Sequence, residues 1–407
     1  RRSSDLQQEG SSMKTVKLIK VEPGENNNKF YTMEQLDANT WKATWGRVGT
    51  AGQTQNYPMS QWNSKYNEKT NPKKGYVDQT HLFAEATPTG GPSAAVIKNA
   101  AIKKLVDQLL KFAKETVSQN YLVSSEAVTQ AMVDEAQRII DVLADMTQKS
   151  KRDLATANDL LLQLYKTLPR KMKNVKEALL KSVDKKEFNE KVGAEQDLLD
   201  VMRGQVKVVA PAATQKKDED ILASFGLEIQ EADAKDISTI KKMMGSDSNL
   251  LKSAFVVVHT STRKHLDGKK TELQWHGSRN ENWWNILKIG LKIRPANAVH
   301  TGSMFGNGIY HSKTFKKSLG YTSFHNSYWA RGNSSRAFLA INEIFTGNQL
   351  VCTRHNSEFS SMTWNRLRAK GDYHSVHAPK GYDLYNDETI VYQENQVSIK
   401  YLIEVGD

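Results

Sequence analysis

Three blocks of different hydrophobic period divide this chain. From residue 13 to about 90, "TVKLIKVE" and "KFYTMEQLD" alternate apolar with polar side chains, as half-buried strands do. "TWKATWGRVGTAGQTQNYP" reads as a third strand broken by glycines, and "MSQWNSKYNEKT" as a short amphipathic helix. The run "ATPTGGPS", residues 86–93, has linker composition. From 95 to about 208 the period becomes helical. Ile102, Leu105, Val106, Leu109, Ala113 and Val117 share one face of a first helix. Val128, Met132, Ala136, Ile139 and Leu143 share a face of a second, with Ser125 as its expected N-cap. Leu154, Ala157, Leu161, Leu164 and Leu168 mark a third, which Pro169 ends. Such stripes predict an all-α bundle with its own core. From about 211 to 407 strands return, with "SAFVVVHTS", "TELQWHGS", "SRAFLAINEIFTG" and "ETIVYQENQVSIKYLIEV". In the last of these, Val397, Ile399, Tyr401, Ile403 and Val405 alternate after a turn at Glu394–Asn395.

Composition adds limits. A chain of 407 residues is expected to hold about two to four domains. No apolar run reaches the ~18 residues of a spanning helix, so a soluble, intracellular protein without a membrane partner is expected. The polar start, residues 1–12, reads as a disordered tail. The single cysteine, Cys352, rules out a disulfide framework and a thiolate zinc site within this chain, and no metal is expected. A net charge of +12 and a pI near 9.4 favour a polyanion, nucleic acid above all.

Three polar stretches in the last block hold candidate chemistry. "WHGSR" puts an imidazole, a bare backbone and a hydroxyl at the mouth of a strand-to-helix turn. "TGSMFGNGIYHSKTFKKSLGY", residues 301–321, has glycines that permit close backbone approach and ends in Tyr310, Lys317, Ser318 and Tyr321. "LYNDETIVY" places carboxylates at the start of a strand. Singly, each has an ordinary structural reading: a hydrogen-bonded His, core tyrosines, a solvated strand end. No G-x-G-x-x-G follows a strand, so a Rossmann dinucleotide fold is not supported.

Taken together, "WHGSR", "GNGIY" and "NDETIVY" closely resemble the catalytic segment of the poly(ADP-ribose) polymerases, with its His-Tyr-Glu signature at His276, Tyr310 and Glu388. "TWGRVGTAGQ" resembles the WGR domain of that family, and "LLLQLYKTLP" its helical regulatory domain. The resemblance follows the family's order over nearly the whole chain and matches its short DNA-dependent members. It implies a multidomain α+β protein. Its parts are a β-rich WGR domain at 13–90, an all-α helical domain at 95–208, and a mixed α+β ADP-ribosyltransferase fold at 211–407 with a non-Rossmann NAD site.

The resemblance also implies roles. NAD is the donor substrate. Gly277 and Ser318 hold its carboxamide, Tyr310 and Tyr321 stack on its nicotinamide ring, and His276, with Ser278 beside it, holds the adenosine ribose. Glu388 stabilises the developing oxocarbenium ion and acts as base, and Lys317 assists elongation. Trp45, Gly46 and Arg47 would face DNA. Expected partners are DNA breaks and acceptor proteins, including the enzyme itself, and the expected location is the nucleus. Some positions depart from the family pattern. Lys292 stands where arginine is common, and His311 and Ser312 stand where an aromatic and a small residue are usual. Asp387 precedes Glu388, a second carboxylate that would raise its neighbour's pKa. Two other readings stay open: a mono(ADP-ribosyl)transferase, and an inert DNA-end-binding protein.

Overall fold

The computed structural model describes residues 13–83, 97–122, 128–206, 220–293 and 303–407. The expected tail at 1–12, the linker at 86–93 and the cap Ser125 lie outside them.

The first block is an antiparallel sheet in the order β4-β3-β2-β1-β5. Its strands are β1 (Thr15–Glu22), β2 (Asn27–Gln35), β3 (Thr40–Arg47), β4 (Gln53–Pro58) and β5 (Val77–Asp78). Helices α1 (Trp62–Thr70) and α2 (Thr80–Phe83) complete it. The stretch "TWKATWGRVGTAGQTQNYP", expected as one broken strand, is two, because the chain reverses between Arg47 and Gln53 and Trp45 pairs with Gln53. The alternation of β1 serves two cores. Leu18 packs with Tyr31, Met33, Trp41 and Trp62 on one face, while Ile19 and Val21 join the helical core on the other.

The second block contains α3 (Ala100–Asn120), α4 (Gln130–Gln148), α5 (Leu154–Thr167) and α6 (Lys185–Gln205). Side chains of Asn99, Thr129, Asp153 and Asp184 cap their first turns by accepting backbone N–H groups, each cap worth about 1 kcal/mol. Thr129 holds the place expected of Ser125. All six residues of the expected α3 stripe are buried, but not in one bundle core. Ala113 and Val117 pack among the helices. Ile102, Leu105, Val106 and Leu109 instead meet Trp283, Trp284, Phe338 and Leu402 of the third block. A helix of 21 residues is long enough to bridge two cores. One charged cluster is enclosed by the helices. Arg170 pairs with Glu195 at 2.5 Å, and Glu195 also accepts the Tyr165 hydroxyl at 2.8 Å.

The third block opens with α7 (Ile221–Ser224), β6 (Leu227–Glu231), α8 (Ala234–Met244), β7 (Leu251–His259) and α9 (Thr260–Arg263). It continues with β8 (Glu272–Gly277), α10 (Trp283–Ile289), β9 (Ile309–His311), α11 (Phe315–Leu319), β10 (Arg336–Ile344) and β11 (Gln349–Val351). It closes with α12 (Ser357–Ser360), α13 (Trp364–Ala369), β12 (Ser375–Ala378), β13 (Glu388–Val391) and β14 (Val397–Gly406). Two sheets form, β6-β7-β14-β10-β8 and β11-β12-β13-β9. The clean alternation expected of β14 is interrupted. Ile341 pairs with Tyr401 but Asn342 with Ile399, so Lys400 is bulged out. Ile399 and Leu402 thus face one core and Tyr401, Ile403 and Val405 the other. Both faces are buried because α3 and α10 cover one side and α8 the other. Among the described residues no helix is long and apolar enough to cross a membrane.

Candidate active site

The two sheets meet where β8 ends and β9 and β13 run alongside. Trp275 of β8 and Ser312, just past β9, exchange backbone hydrogen bonds at 2.8 and 3.1 Å. This bridge sets the strand-to-helix turn of "WHGSR" beside "GIY" and the start of "ETIV". A cavity of about 660 Å³ opens there. It is lined by His276, Gly277, Ser278, Tyr310, Lys317, Ser318, Tyr321 and Glu388, so every residue expected of a donor site converges on one space.

Each side chain is held in a definite way. His276 Nδ1 lies 2.8 Å from the Tyr310 carbonyl oxygen. A carbonyl only accepts, so Nδ1 carries the proton and Nε2 keeps a lone pair. Burial pushes the His276 pKa down, which keeps the ring neutral. Gly277 admits no side chain, since a Cβ would fall 1.9 Å from the Ser318 carbonyl oxygen. Its backbone and α11 are therefore in close contact, and Ser318 is buried there. Ser278 accepts from Asn282 at 2.9 Å. Tyr310 donates its hydroxyl to the Gly306 carbonyl at 2.8 Å and accepts from Phe305 N–H at 3.0 Å, which leaves its ring to the cavity. Burial raises the Tyr310 and Tyr321 pKa values, so both stay neutral phenols. Trp283 and Trp284 of the following helix are buried packing residues.

Glu388 starts β13 and is almost wholly buried. Its carboxylate meets Lys317 Nζ at 2.8 Å, with side-chain exposures of 5% and 8% for the lysine and glutamate. Burial raises the Glu388 pKa, the Lys317 charge opposes that rise, and Asp387 adds to it. The expected effect of the second carboxylate is present, and desolvation is larger. The result is a carboxylate that is charge-balanced yet poorly hydrated, a combination that favours basicity.

The departures from the family pattern also have structural settings. Lys292 pairs with Glu394 at 3.2 Å while lining the cavity. His311 is buried, and its Nε2 accepts from Asn342 at 3.0 Å. Burial first, and the nearby His276 second, hold it well below the ordinary histidine pKa. Ser312 donates to the backbone carbonyl of Asp387 at 2.9 Å.

Sequence reasoning did not find everything at this site. Asp197 and Asp200, three apart on α6, also line the cavity. Their helix is moored there: Trp284 Nε1 donates to the Gly204 carbonyl at 2.9 Å and Lys288 Nζ to that of Val206 at 2.8 Å. Burial, with help from Arg203, brings the Lys288 pKa down to about 8. Trp329 lines the cavity too. The only signal for the aspartates was their i, i+3 spacing, which any solvated helix face shares. No period or motif marks Trp329.

The second expected site is arranged differently. Trp45, Gly46 and Arg47 end β3, and Trp45 stacks on Tyr31 with ring centroids 6.1 Å apart. Arg47 does not stand open as a phosphate ligand. Its guanidinium donates to the carbonyls of Asn26 at 2.8 Å, Met172 at 2.8 Å and Lys173 at 2.9 Å. Asn28 adds a bond to the Arg170 carbonyl at 2.7 Å. The end of β3 is thereby tied to the helical block.

Residues 239–406 match the family description "Poly(ADP-ribose) polymerase catalytic domain", and residues 14–82 match "WGR domain". A poly [ADP-ribose] polymerase-like protein, 100L, of Invertebrate iridescent virus 6 is 36% identical over 34% of this chain and 72% of its own length. Poly [ADP-ribose] polymerase 2 of Zea mays is 22% identical, aligned over 98% of this chain and 71% of its own. The human protein of that name is 31% identical over 33% of this chain and 26% of its own. With the cavity's geometry, these similarities place the chain in the poly(ADP-ribose) polymerase family, as an ADP-ribosyltransferase that uses NAD as its substrate.

Proposed function

We propose that this chain is a polymer-forming transferase activated by DNA breaks. The observation that carries the polymerase reading is the buried Glu388–Lys317 pair inside the donor cavity. In the proposed donor pose, the Gly277 backbone and Ser318 hold the carboxamide. Tyr310 and Tyr321 bracket the nicotinamide ring. His276 Nε2 accepts a hydrogen bond from an adenosine ribose hydroxyl, which requires the neutral ring that burial favours. As the bond from ribose C1′ to nicotinamide breaks, its electron pair leaves with the ring nitrogen. Positive charge builds on the sugar, and the Glu388 carboxylate stabilises it. An acceptor hydroxyl oxygen then bonds to C1′, and its proton passes to Glu388. When that hydroxyl belongs to an ADP-ribose already attached, the chain lengthens. Lys317 holds the carboxylate in place and limits its protonation.

The DNA-dependent part rests on placement. The helical block touches both the Arg47 carbonyl contacts and, through Asp197 and Asp200, the donor cavity. The phosphates of an incoming NAD would meet this acidic helix face, where Arg203 stands 3.7 Å from Asp200 and offsets part of its charge. A DNA end that draws Arg47 to a terminal phosphate would release residues 172 and 173 and loosen the helices. For activation, DNA must bind the loosened state better than the tight one. Trp45 would stack on an exposed sugar or base at the break. Acceptor proteins, the enzyme itself among them, and a nuclear place of action belong to this reading.

The test is incubation with NAD, with and without nicked DNA, followed by a denaturing gel. A DNA-dependent smear or ladder is expected. A single sharp band would replace this reading with mono(ADP-ribosyl) transfer, and an unchanged band with nicked DNA still bound would leave a DNA-end-binding protein.

A further inference from the structure

Tyr321 is not a lone aromatic at the cavity. Trp329 lies parallel to it, with ring centroids 4.5 Å apart and planes 7° from each other. Tyr328 meets the same indole edge-on, at 5.0 Å and 80°. Beside the Trp329 contact, Tyr321 lines the cavity and keeps 37% of its surface exposed.

The segment carrying Trp329 is fixed at both sides of the turn. The backbone N–H groups of Trp329 and Ala330 both donate to the Gly320 carbonyl, each at 3.0 Å. Gly320 lets the indole approach, because a Cβ there would sit 2.7 Å from Trp329 Cε3. Arg279, the last residue of "WHGSR", donates from Nη2 to the Ala330 carbonyl at 2.8 Å. The backbone that carries the indole is therefore clamped to the residue before Tyr321 and to the donor-site turn, although Trp329 remains 47% exposed. A side chain on so firmly held a backbone, itself largely solvated, contributes little to the core. Its parallel contact with a cavity tyrosine needs another explanation.

We infer that Trp329 is a positioning residue for the nicotinamide subsite, backing the Tyr321 ring so that its plane is fixed where the donor's nicotinamide stacks between Tyr321 and Tyr310. This rests on the reading above that Tyr321 stacks on nicotinamide. A phenol ring free to tilt loses part of its stacking energy and spends entropy when the ligand orders it, so a rigid backing increases affinity without touching the reacting atoms. Binding of nicotinamide and NAD should weaken on its loss, and the chemical step should not.

The experiment uses the full chain with nicked DNA present and measures KM for NAD, kcat, and the inhibition constant of free nicotinamide. Trp329→Ala should raise the inhibition constant and KM by about two- to tenfold, as an aromatic pair predicts, with kcat nearly unchanged. Trp329→Phe should restore both. Trp329→Leu, which keeps apolar bulk without a flat face, should behave as Ala does, and it takes the place of Ala should that variant fold poorly. Tyr321→Ala separates the two levels of the argument. If it leaves the nicotinamide constant unchanged, the stacking reading itself fails. If it raises the constant while Trp329→Ala and Trp329→Leu do not, only the present inference falls. Tighter nicotinamide binding in Trp329→Ala would also overturn it, since the indole would then be obstructing the subsite.

Discussion

The cavity beside β8 and the turn at Trp45–Arg47 were both read from short motifs, yet the structure treats them in opposite ways. In the cavity, His276 and Tyr310 spend one side on protein contacts and keep the other for the open space. His276 uses Nδ1 on a carbonyl and keeps Nε2. Tyr310 uses its hydroxyl on the backbone and keeps its ring. At the turn, Arg47 gives its guanidinium to carbonyls of its own chain. A preformed site binds without rearrangement, whereas a site whose donors are already paired must exchange one set of partners for another. The first arrangement suits a small substrate. The second suits a switch, because the exchange couples binding to whatever the old partners held.

The largest effect that would test this contrast is at Glu388. Glu388→Gln keeps shape and loses charge, and should reduce transfer by about 10²- to 10⁴-fold, the usual worth of a positioned acid–base group. The nicotinamide inhibition constant should stay nearly unchanged. A variant that still makes long polymer would remove Glu388 from its proposed role. Next in size is the charged cluster that stiffens the helical block. Glu195→Ala leaves the Arg170 guanidinium without its partner in a buried setting, which costs about 3–5 kcal/mol. Thermal unfolding should show that block melting early, and DNA-independent activity should rise. Unchanged melting and unchanged basal activity would make the helices a passive spacer.

A smaller effect is expected at the switch itself. Arg47→Ala removes three carbonyl contacts and the proposed phosphate ligand together. DNA stimulation should fall by about tenfold, within the usual range of coupling energies, while basal transfer is retained or rises, because the carbonyl contacts that hold the helices are lost as well. The wild-type affinity for nicked DNA should fall with added salt, and the variant's salt slope should be shallower. Equal loss of basal and stimulated activity would point to a misfolded first block. The smallest effect concerns pH. The Glu388 pKa lies above the ordinary carboxylate value, so on acidification the rate should begin to fall at a higher pH than a free carboxylate would dictate. Asp387 contributes to that rise, and Asp387→Asn should move the acidic limb of the rate profile slightly to lower pH. A shift in the opposite direction would show that the side-chain hydrogen bonds of Asp387 to Ser312 and Lys313, not its charge, govern its neighbour.

The sequence by itself determined what depends on neighbours along the chain. Helical stripes on α3, α4 and α5, the β1–β2 alternation and the three polar motifs were all legible, because period, capping and turn chemistry are local. Eight residues that line the cavity, from His276 to Glu388, were legible too, because their identities and order match a known family, whereas Asp197, Asp200 and Trp329 were not. Which core each stripe would enter was not. The α3 stripe divides between two cores, and β14 shifts register at Lys400, because both sides are covered by elements far away in sequence. The Lys317–Glu388 pair joins residues 71 positions apart, the Arg47 contacts span 125 and 126, and Trp329 reaches Tyr321 by a turn that no period marks. Tertiary structure decided these because burial and pairing depend on what packs opposite a side chain, and the pattern of one segment carries no record of its partner.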